Sequence, residues 1–213
     1  PVVVILALVF SAVRRYTANI SPVLLACLPF YGSFVFVYTG AYFGHILAGM
    51  FLLGAYMALE RYKRYVVAGL LLGLAFLAEY PVGLALPLWA ALIWIREKRW
   101  QAALWFVLGF VPALLLNSLY LFLITGDPLT MPYSLVSYEG FAPMRQNLGF
   151  SLPQLDRLWH LLVTPYRGIF FFAPFLIVGL LVAVRNRRGG VPCWLLDYTV
   201  AFSICFVLLI SSY

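Results

Sequence analysis

His45 and Glu79 are the two side chains in this sequence most suited to acid–base chemistry. His45 follows the stretch Tyr-Thr-Gly-Ala-Tyr-Phe-Gly at residues 38–44, and Glu79 stands between a long apolar run and Tyr80-Pro81. An imidazole and a carboxylate can each take up or deliver a proton during a reaction. Because an ionisable group within apolar sequence usually faces a partner or a polar cavity, we expect both side chains to line one cavity. The alternative is that each only reaches solvent at the rim of the apolar region.

Tyrosines and arginines supply the candidate substrate-binding groups. A guanidinium can hold two phosphate oxygens at once, which suits arginine to binding a phosphate. Arg167 is the first candidate for this role and Arg145 the second, whereas Arg157 is expected to be a solvated charge. Tyrosines also populate both surfaces of any membrane protein, so the tyrosines alone establish no site. The candidate binding residues are Tyr38, Tyr42, Tyr80, Arg145, Tyr166 and Arg167.

The sequence contains none of the common motifs of soluble enzymes. It has no G-x-S-x-G elbow, Walker loop, H-E-x-x-H pair or paired cysteines. Cys27, Cys193 and Cys205 lie among apolar residues without metal-ligand spacing, so we expect them to pack in the protein interior. No cofactor is indicated by any ligand motif, and the use of a divalent metal stays open.

The composition places these candidate groups in a membrane protein. Of the 213 residues, 65% are hydrophobic and 10% are charged, and the mean hydropathy is +1.00. The net charge of +7 comes from tight basic clusters between apolar runs, which is not the pattern of a nucleic-acid-binding surface. Under the positive-inside rule these clusters mark cytoplasmic loops. They are Arg14-Arg15 and residues 61–64, 96–99 and 185–188.

The apolar runs between the basic clusters predict an all-α bundle of about eight membrane segments. Residues 65–95 must cross twice with limbs of only about 14 residues each, so they either span a thinned region or dip into a protein-lined cavity. The predicted segments are 1–13, two helices within 16–60 of which the second covers 41–59, then 65–78, 82–95, 100–124, 168–184 and 194–213.

A long external loop, residues 125–167, separates two of these segments. It carries five prolines and the strong turn sequence Thr125-Gly-Asp-Pro128. Within it, apolar residues recur at helical spacing near 153–163, which predicts a short helix lying in the membrane interface. Residues 1–213 are expected to form a single transmembrane domain that is a fragment of a larger chain. Gly40 and Gly44, and likewise Gly69 and Gly73, are expected to permit close helix packing within one chain rather than dimerisation.

Four stretches of the sequence resemble the polytopic GT-C glycosyltransferases, of the protein O-mannosyltransferase and lipid A aminoarabinose transferase type. They are residues 38–45, 69–81, 125–128 and 164–174. The resemblance implies a sugar donor on a polyprenyl phosphate, used at the outer face of a bacterial cytoplasmic membrane. It also implies that residues 125–167 cover the site and that residues 1–13 are the second helix. The family's usual catalytic aspartate lies in the loop between its first and second helices, which this sequence does not include.

The implied reaction transfers a hexosyl or pentosyl group to an acceptor of unknown identity. The acceptor attacks the anomeric carbon while a lipid phosphate leaves, which requires a proton acceptor and cationic groups at the phosphate. His45 and Glu79 are then the catalytic candidates, and the expected partners are membrane lipid and the lipid-linked sugar, with no nucleic acid. The alternatives are a transporter or flippase for a lipid-linked or small polar substrate and a noncatalytic membrane subunit.

Overall fold

The computed structural model of the chain consists of helices joined by turns, which confirms the all-α prediction. Among the described residues there is no β-strand. The structure describes residues 1–14, 21–33, 35–40, 44–130, 132–135, 137, 152–166, 168–179, 181 and 194–211.

Ten helices are delimited within these ranges, together with two short 3₁₀ turns at Tyr80–Leu84 and Pro132–Leu135. The helices are α1 (Val2–Val13), α2 (Pro22–Tyr31), α3 (Val35–Thr39), α4 (His45–Glu60), α5 (Tyr65–Ala78), α6 (Ala85–Glu97), α7 (Trp100–Thr125), α8 (Leu155–Leu162), α9 (Ile169–Phe172) and α10 (Trp194–Ile210).

The hairpin α5–α6, the long helix α7 and the short helix α8 lie where the sequence predicts them. Two other regions differ from the prediction. The region 16–60 contains three helices instead of two, because α2 ends at Gly32 and the short α3 precedes α4. The predicted helix 168–184 is interrupted at Ala173 and Pro174, since a proline disfavours helical backbone in the residue before it. Residues 175–179 are helical again after this break.

Helix α7 is the one helix in the described part of the chain that is long and apolar enough to cross a membrane unaided. Its 26 residues correspond to a rise of about 39 Å. Gly126 ends it in the left-handed conformation, with φ of 77°, and donates its N–H to Phe122. Helices α1, α2, α4 and α5 are apolar but shorter, at 10 to 16 residues.

Helix α5 lies between α4 and α7 and makes the most extensive contacts of the bundle. A Cβ atom on Gly69 would lie 1.9 Å from the carbonyl oxygen of Phe106, and one on Gly109 would lie 2.2 Å from that of Val66. The backbones of α5 and α7 therefore touch at reciprocal glycines. The expected close packing at Gly69 and Gly73 within one chain is confirmed, since a Cβ on Gly73 would also meet Ala113 at 2.6 Å.

The core lies where α4, α5, α6, α7 and α10 meet. Leu72, Ile93, Phe106 and Trp89 are buried there. The ring of Trp89 packs edge-on against Tyr198 of α10 at 5.6 Å between centroids. This aromatic contact places α10 beside α6.

One end of the bundle collects the basic residues. Arg96 at the end of α6 pairs with Glu60 at the end of α4, and their side chains are only 10% and 14% exposed. Lys63 donates to Glu97 at 2.5 Å, and Arg61 donates to Ser11 of α1 at 2.7 Å. We call this the basic end. Arg15 and the cluster 185–188 lie outside the described residues.

Replacing Gly69 with alanine is predicted to destabilise the bundle by about 1–3 kcal/mol, because the new Cβ overlaps the backbone of α7. Thermal unfolding of the detergent-solubilised protein measures the effect. Gly49→Ala is the matched control, since a Cβ at Gly49 meets nothing within 4 Å, and this variant should be at least as stable as wild type. Equal unfolding temperatures for the two variants would contradict the α5–α7 contact.

Candidate functional site

His45 and Glu79 lie together at the end of the bundle opposite the basic end. His45 is the first residue of α4, and Glu79 directly follows α5. The Nδ1 atom of His45 lies 2.6 Å from Oε1 of Glu79. Because α4 and α5 are adjacent and antiparallel, the beginning of one helix meets the end of the other. The structure thus brings together the two residues that the sequence assigned to one cavity, while their catalytic role stays a prediction.

Gly44 makes this approach sterically feasible. A Cβ at this position would lie 2.6 Å from the carbonyl oxygen of Ala78 and 3.0 Å from Oε1 of Glu79. Any larger residue would push the start of α4 away from the end of α5. Gly40 is the other member of the predicted glycine pair, and the atom of the described residues that a Cβ there would approach is the carbonyl oxygen of Val37, at 3.8 Å.

The pair is accessible from outside the bundle. The side chain of His45 is 55% exposed and that of Glu79 is 26% exposed. The ring of Tyr38, on α3, lies edge-on to the His45 imidazole with 5.7 Å between centroids. A carboxylate on Nδ1 fixes the orientation of the imidazole, so that Nε2 is the ring nitrogen directed away from Glu79.

Tyr80 and Asn117 form a second polar contact at this end of the helices. The Tyr80 hydroxyl donates to Oδ1 of Asn117 on α7 at 2.9 Å. Tyr80 lies in the turn outside the helices, where burial raises the pKa of its phenol, and nearby Tyr120 raises it further. The phenol therefore keeps its proton and its role as a donor at neutral pH. Glu79 and Tyr80 are adjacent in the chain, so this bond also ties the turn that carries Glu79 to α7.

Asn117 was missed by the sequence analysis, although a signal for it exists. It is an amide in the middle of an otherwise apolar run of α7, flanked by Leu116 and Ser118. A polar side chain in such a run usually has a partner inside the bundle. The sequence does not identify that partner, because Tyr80 lies 37 positions away on a different element.

The remaining candidates are not brought to the pair by any described contact. Tyr42, Arg145 and Arg167 lie outside the described residues. Tyr166 lies in the turn after α8 and is exposed, and the main contacts of α8 are with α9 and α10. Their roles in binding stay predictions. Within the described ranges, no three His, Cys, Asp or Glu side chains are grouped so that they could hold a metal ion.

Comparisons with protein-family models, with curated proteins and with solved structures found no match to this chain. Among the site residues that the sequence predicts, His45 and Glu79 are both ionisable, in contact and accessible.

Cysteines placed at positions 45 and 79 are predicted to be bridged by a short bifunctional thiol reagent. The variant is His45→Cys with Glu79→Cys, in a background where the three native cysteines are alanines. Intact-mass measurement detects the bridge. The control pair, His45→Cys with Glu97→Cys, puts the thiols at opposite ends of the bundle and should not be bridged. Bridging of both pairs, or of neither, would show that the two helix ends do not meet as described.

Proposed function

We propose that this chain is a membrane-embedded glycosyltransferase that moves a sugar from a polyprenyl phosphate to an acceptor. The observation that carries the proposal is the accessible His45–Glu79 pair at the end of the bundle opposite the basic residues. Under the positive-inside rule the basic end faces the cytoplasm, so the pair faces outward. Polyprenyl-phosphate sugars presented at the outer face would then reach it.

The surface of the bundle supports a membrane location. On α7 the exposed residues include Leu115, Leu119 and Leu123, each more than half exposed. Soluble proteins rarely expose a continuous apolar surface of this kind. A hydrocarbon environment removes the cost of exposing these side chains, so we assign α7 and the other long helices to the bilayer.

The shortness of α5 is compatible with this placement. Its 14 residues rise about 21 Å, which is less than the hydrocarbon thickness of about 30 Å. However, the outer half of α5 is covered by neighbouring helices, with Leu72 and Ala75 fully buried, while the exposed side chains of α5, such as Val66 and Leu70, lie toward the basic end. A segment that ends inside the hydrocarbon layer is tolerated where protein, and not lipid, surrounds its end. The outer end of α5 can therefore lie below the membrane surface, in a recess that contains Glu79.

The proposed reaction uses the pair for proton transfer. The acceptor hydroxyl oxygen forms a bond to the anomeric carbon, and the bond from that carbon to the lipid phosphate oxygen breaks. The hydroxyl proton passes to the His45–Glu79 pair, in which the Glu79 carboxylate stabilises the imidazolium that results. Polyprenyl phosphate leaves with the bonding electrons. Arg167 is the proposed ligand of this phosphate, because a guanidinium can offset the developing charge.

Transport is the second candidate function. A transporter typically places its polar groups near the middle of the membrane, at interrupted helices. Here His45 and Glu79 lie at the ends of two helices near one face of the bundle, which favours chemistry at that face over passage through the membrane. Asn117, which lies within α7 and bonds Tyr80 beside this pair, is the residue that a transport pathway would use.

Glu79→Gln is predicted to lower sugar transfer about 100-fold, since the amide keeps the shape of the carboxyl but not its charge. The assay uses purified full-length protein in vesicles with a radiolabelled hexose or pentose on undecaprenyl phosphate, and a membrane extract supplies acceptors. Glu97→Gln is the matched control, because its pairing with Lys63 is partly exposed and should matter little. Arg167→Lys should also lower transfer, whereas Arg157→Lys should not.

Two results would contradict the proposal. Equal transfer by wild type and Glu79→Gln would remove the carboxylate from the mechanism. Wild-type vesicles that accumulate the labelled compound without transferring the sugar would identify the chain as a transporter.

A further inference from the structure

An open groove of about 330 Å³ lies on the outside of the bundle between α6 and α7. Alanines form the floor of the groove, and one tryptophan from each helix flanks them. The lining residues are Ala90, Ala91, Trp94, Trp100 and Ala103. A surface of alanines between two large rings leaves space for a narrow apolar chain and offers that chain few polar contacts.

The groove lies beside the basic end. Lys98 and Arg99 form the turn between α6 and α7, directly before Trp100. Trp94 and Trp100 are 59% and 61% exposed. Exposed tryptophans are enriched at the level of the lipid headgroups, so the groove runs from that level toward the hydrocarbon.

At this end, Arg96 is paired with Glu60, and Lys63 with Glu97. The side chains of Lys98 and Arg99 make no hydrogen bond or ion pair within the described part of the chain, and both are exposed. Arg99 also lines a second cavity of about 280 Å³, which contains Tyr65, Glu97, Gln101 and Trp105. Lys98 and Arg99 directly precede Trp100 of the groove in the chain, so the turn beside the groove presents two exposed cations that complement an anionic group.

We propose that the groove binds one acyl chain of an anionic phospholipid whose phosphate is held by Lys98 and Arg99. The proposal depends on the membrane location proposed above but not on the transferase reaction, since the groove and the His45–Glu79 pair lie at opposite ends of the bundle. A second copy of this chain fits less well, because it would bring the same positive charge to the turn. The acyl chain of such a lipid fits the apolar groove, and its phosphate fits the positively charged turn.

Brominated lipids test the proposal, because bromine quenches the fluorescence of tryptophans that it contacts. The full chain is reconstituted in phosphatidylcholine vesicles with a minor fraction of either brominated phosphatidylglycerol or brominated phosphatidylcholine. Wild type should be quenched more strongly by the phosphatidylglycerol. Lys98→Gln with Arg99→Gln should weaken this preference about fivefold for each cation removed.

Matched variants separate the groove from general surface charge. Arg14→Gln with Arg64→Gln removes the same charge from the same end, away from the groove, and should leave the preference intact. Ala91→Leu fills the groove while keeping both cations, and should reduce quenching by the phosphatidylglycerol. Replacing Trp94 and Trp100 with phenylalanine should remove most of the phosphatidylglycerol-dependent signal.

Three outcomes would overturn the inference. An equal loss of preference in the two double variants would show diffuse attraction to the basic end. Unchanged quenching in Ala91→Leu would show that the acyl chain does not occupy the groove. The absence of quenching by either brominated lipid would show that the bundle is not in the bilayer, which refutes the membrane location whatever the transfer assay gives.

Discussion

Helices α5 and α7 meet backbone to backbone. Gly69 and Gly109 face each other so closely that neither position has room for a side chain. This contact fixes the position of α5 along the axis of α7. At Gly44, the backbone of α4 likewise fits closely against the end of α5. Glu79 therefore meets His45, and Tyr80 meets Asn117, because the helices that carry them cannot slide past one another.

The ion pairs at the two ends of the bundle differ in their exposure. At the basic end, Glu60 and Arg96 are paired with little exposure, and the guanidinium also lies 4.6 Å from the ring centre of Tyr198. Such a buried pair contributes little net stability, but removing one partner is costly, so we interpret it as fixing the order of α4, α6 and α10. At the other end the His45–Glu79 pair remains accessible. An accessible pair is suited to exchange protons with a substrate, whereas the Glu60–Arg96 pair is suited to hold helices together.

Much of the helical framework could be predicted from the sequence because long apolar runs are bounded by basic residues or strong turns. Lys98 and Arg99 separate α6 from α7, and Gly126 with Pro128 ends α7. The split between α2 and α3 and the break at Pro174 were not predicted, because hydrophobicity remains high through both regions. Local backbone geometry at Gly32 and Ala173 ends the helices there.

The candidate site was predictable in part for the same reason. His45 and Glu79 belong to consecutive antiparallel helices, so topology alone places them at one end of the bundle. Their contact at 2.6 Å required Gly44, whose steric role becomes clear only when Ala78 is seen opposite it. The partner of Asn117 could not be predicted, since helical periodicity gives the face of a residue but not the neighbour across from it.

Thiol labelling of intact cells by a membrane-impermeant reagent tests most directly the claim that the bundle crosses a membrane with the His45–Glu79 pair outside. Cysteines are placed one at a time at Lys98, before α7, and at Leu129, after it, in the background without native cysteines. We expect labelling of the Leu129→Cys protein in intact cells, and labelling of the Lys98→Cys protein only after the membrane is permeabilised. Labelling of both positions in intact cells, or of Lys98→Cys alone, would contradict the account.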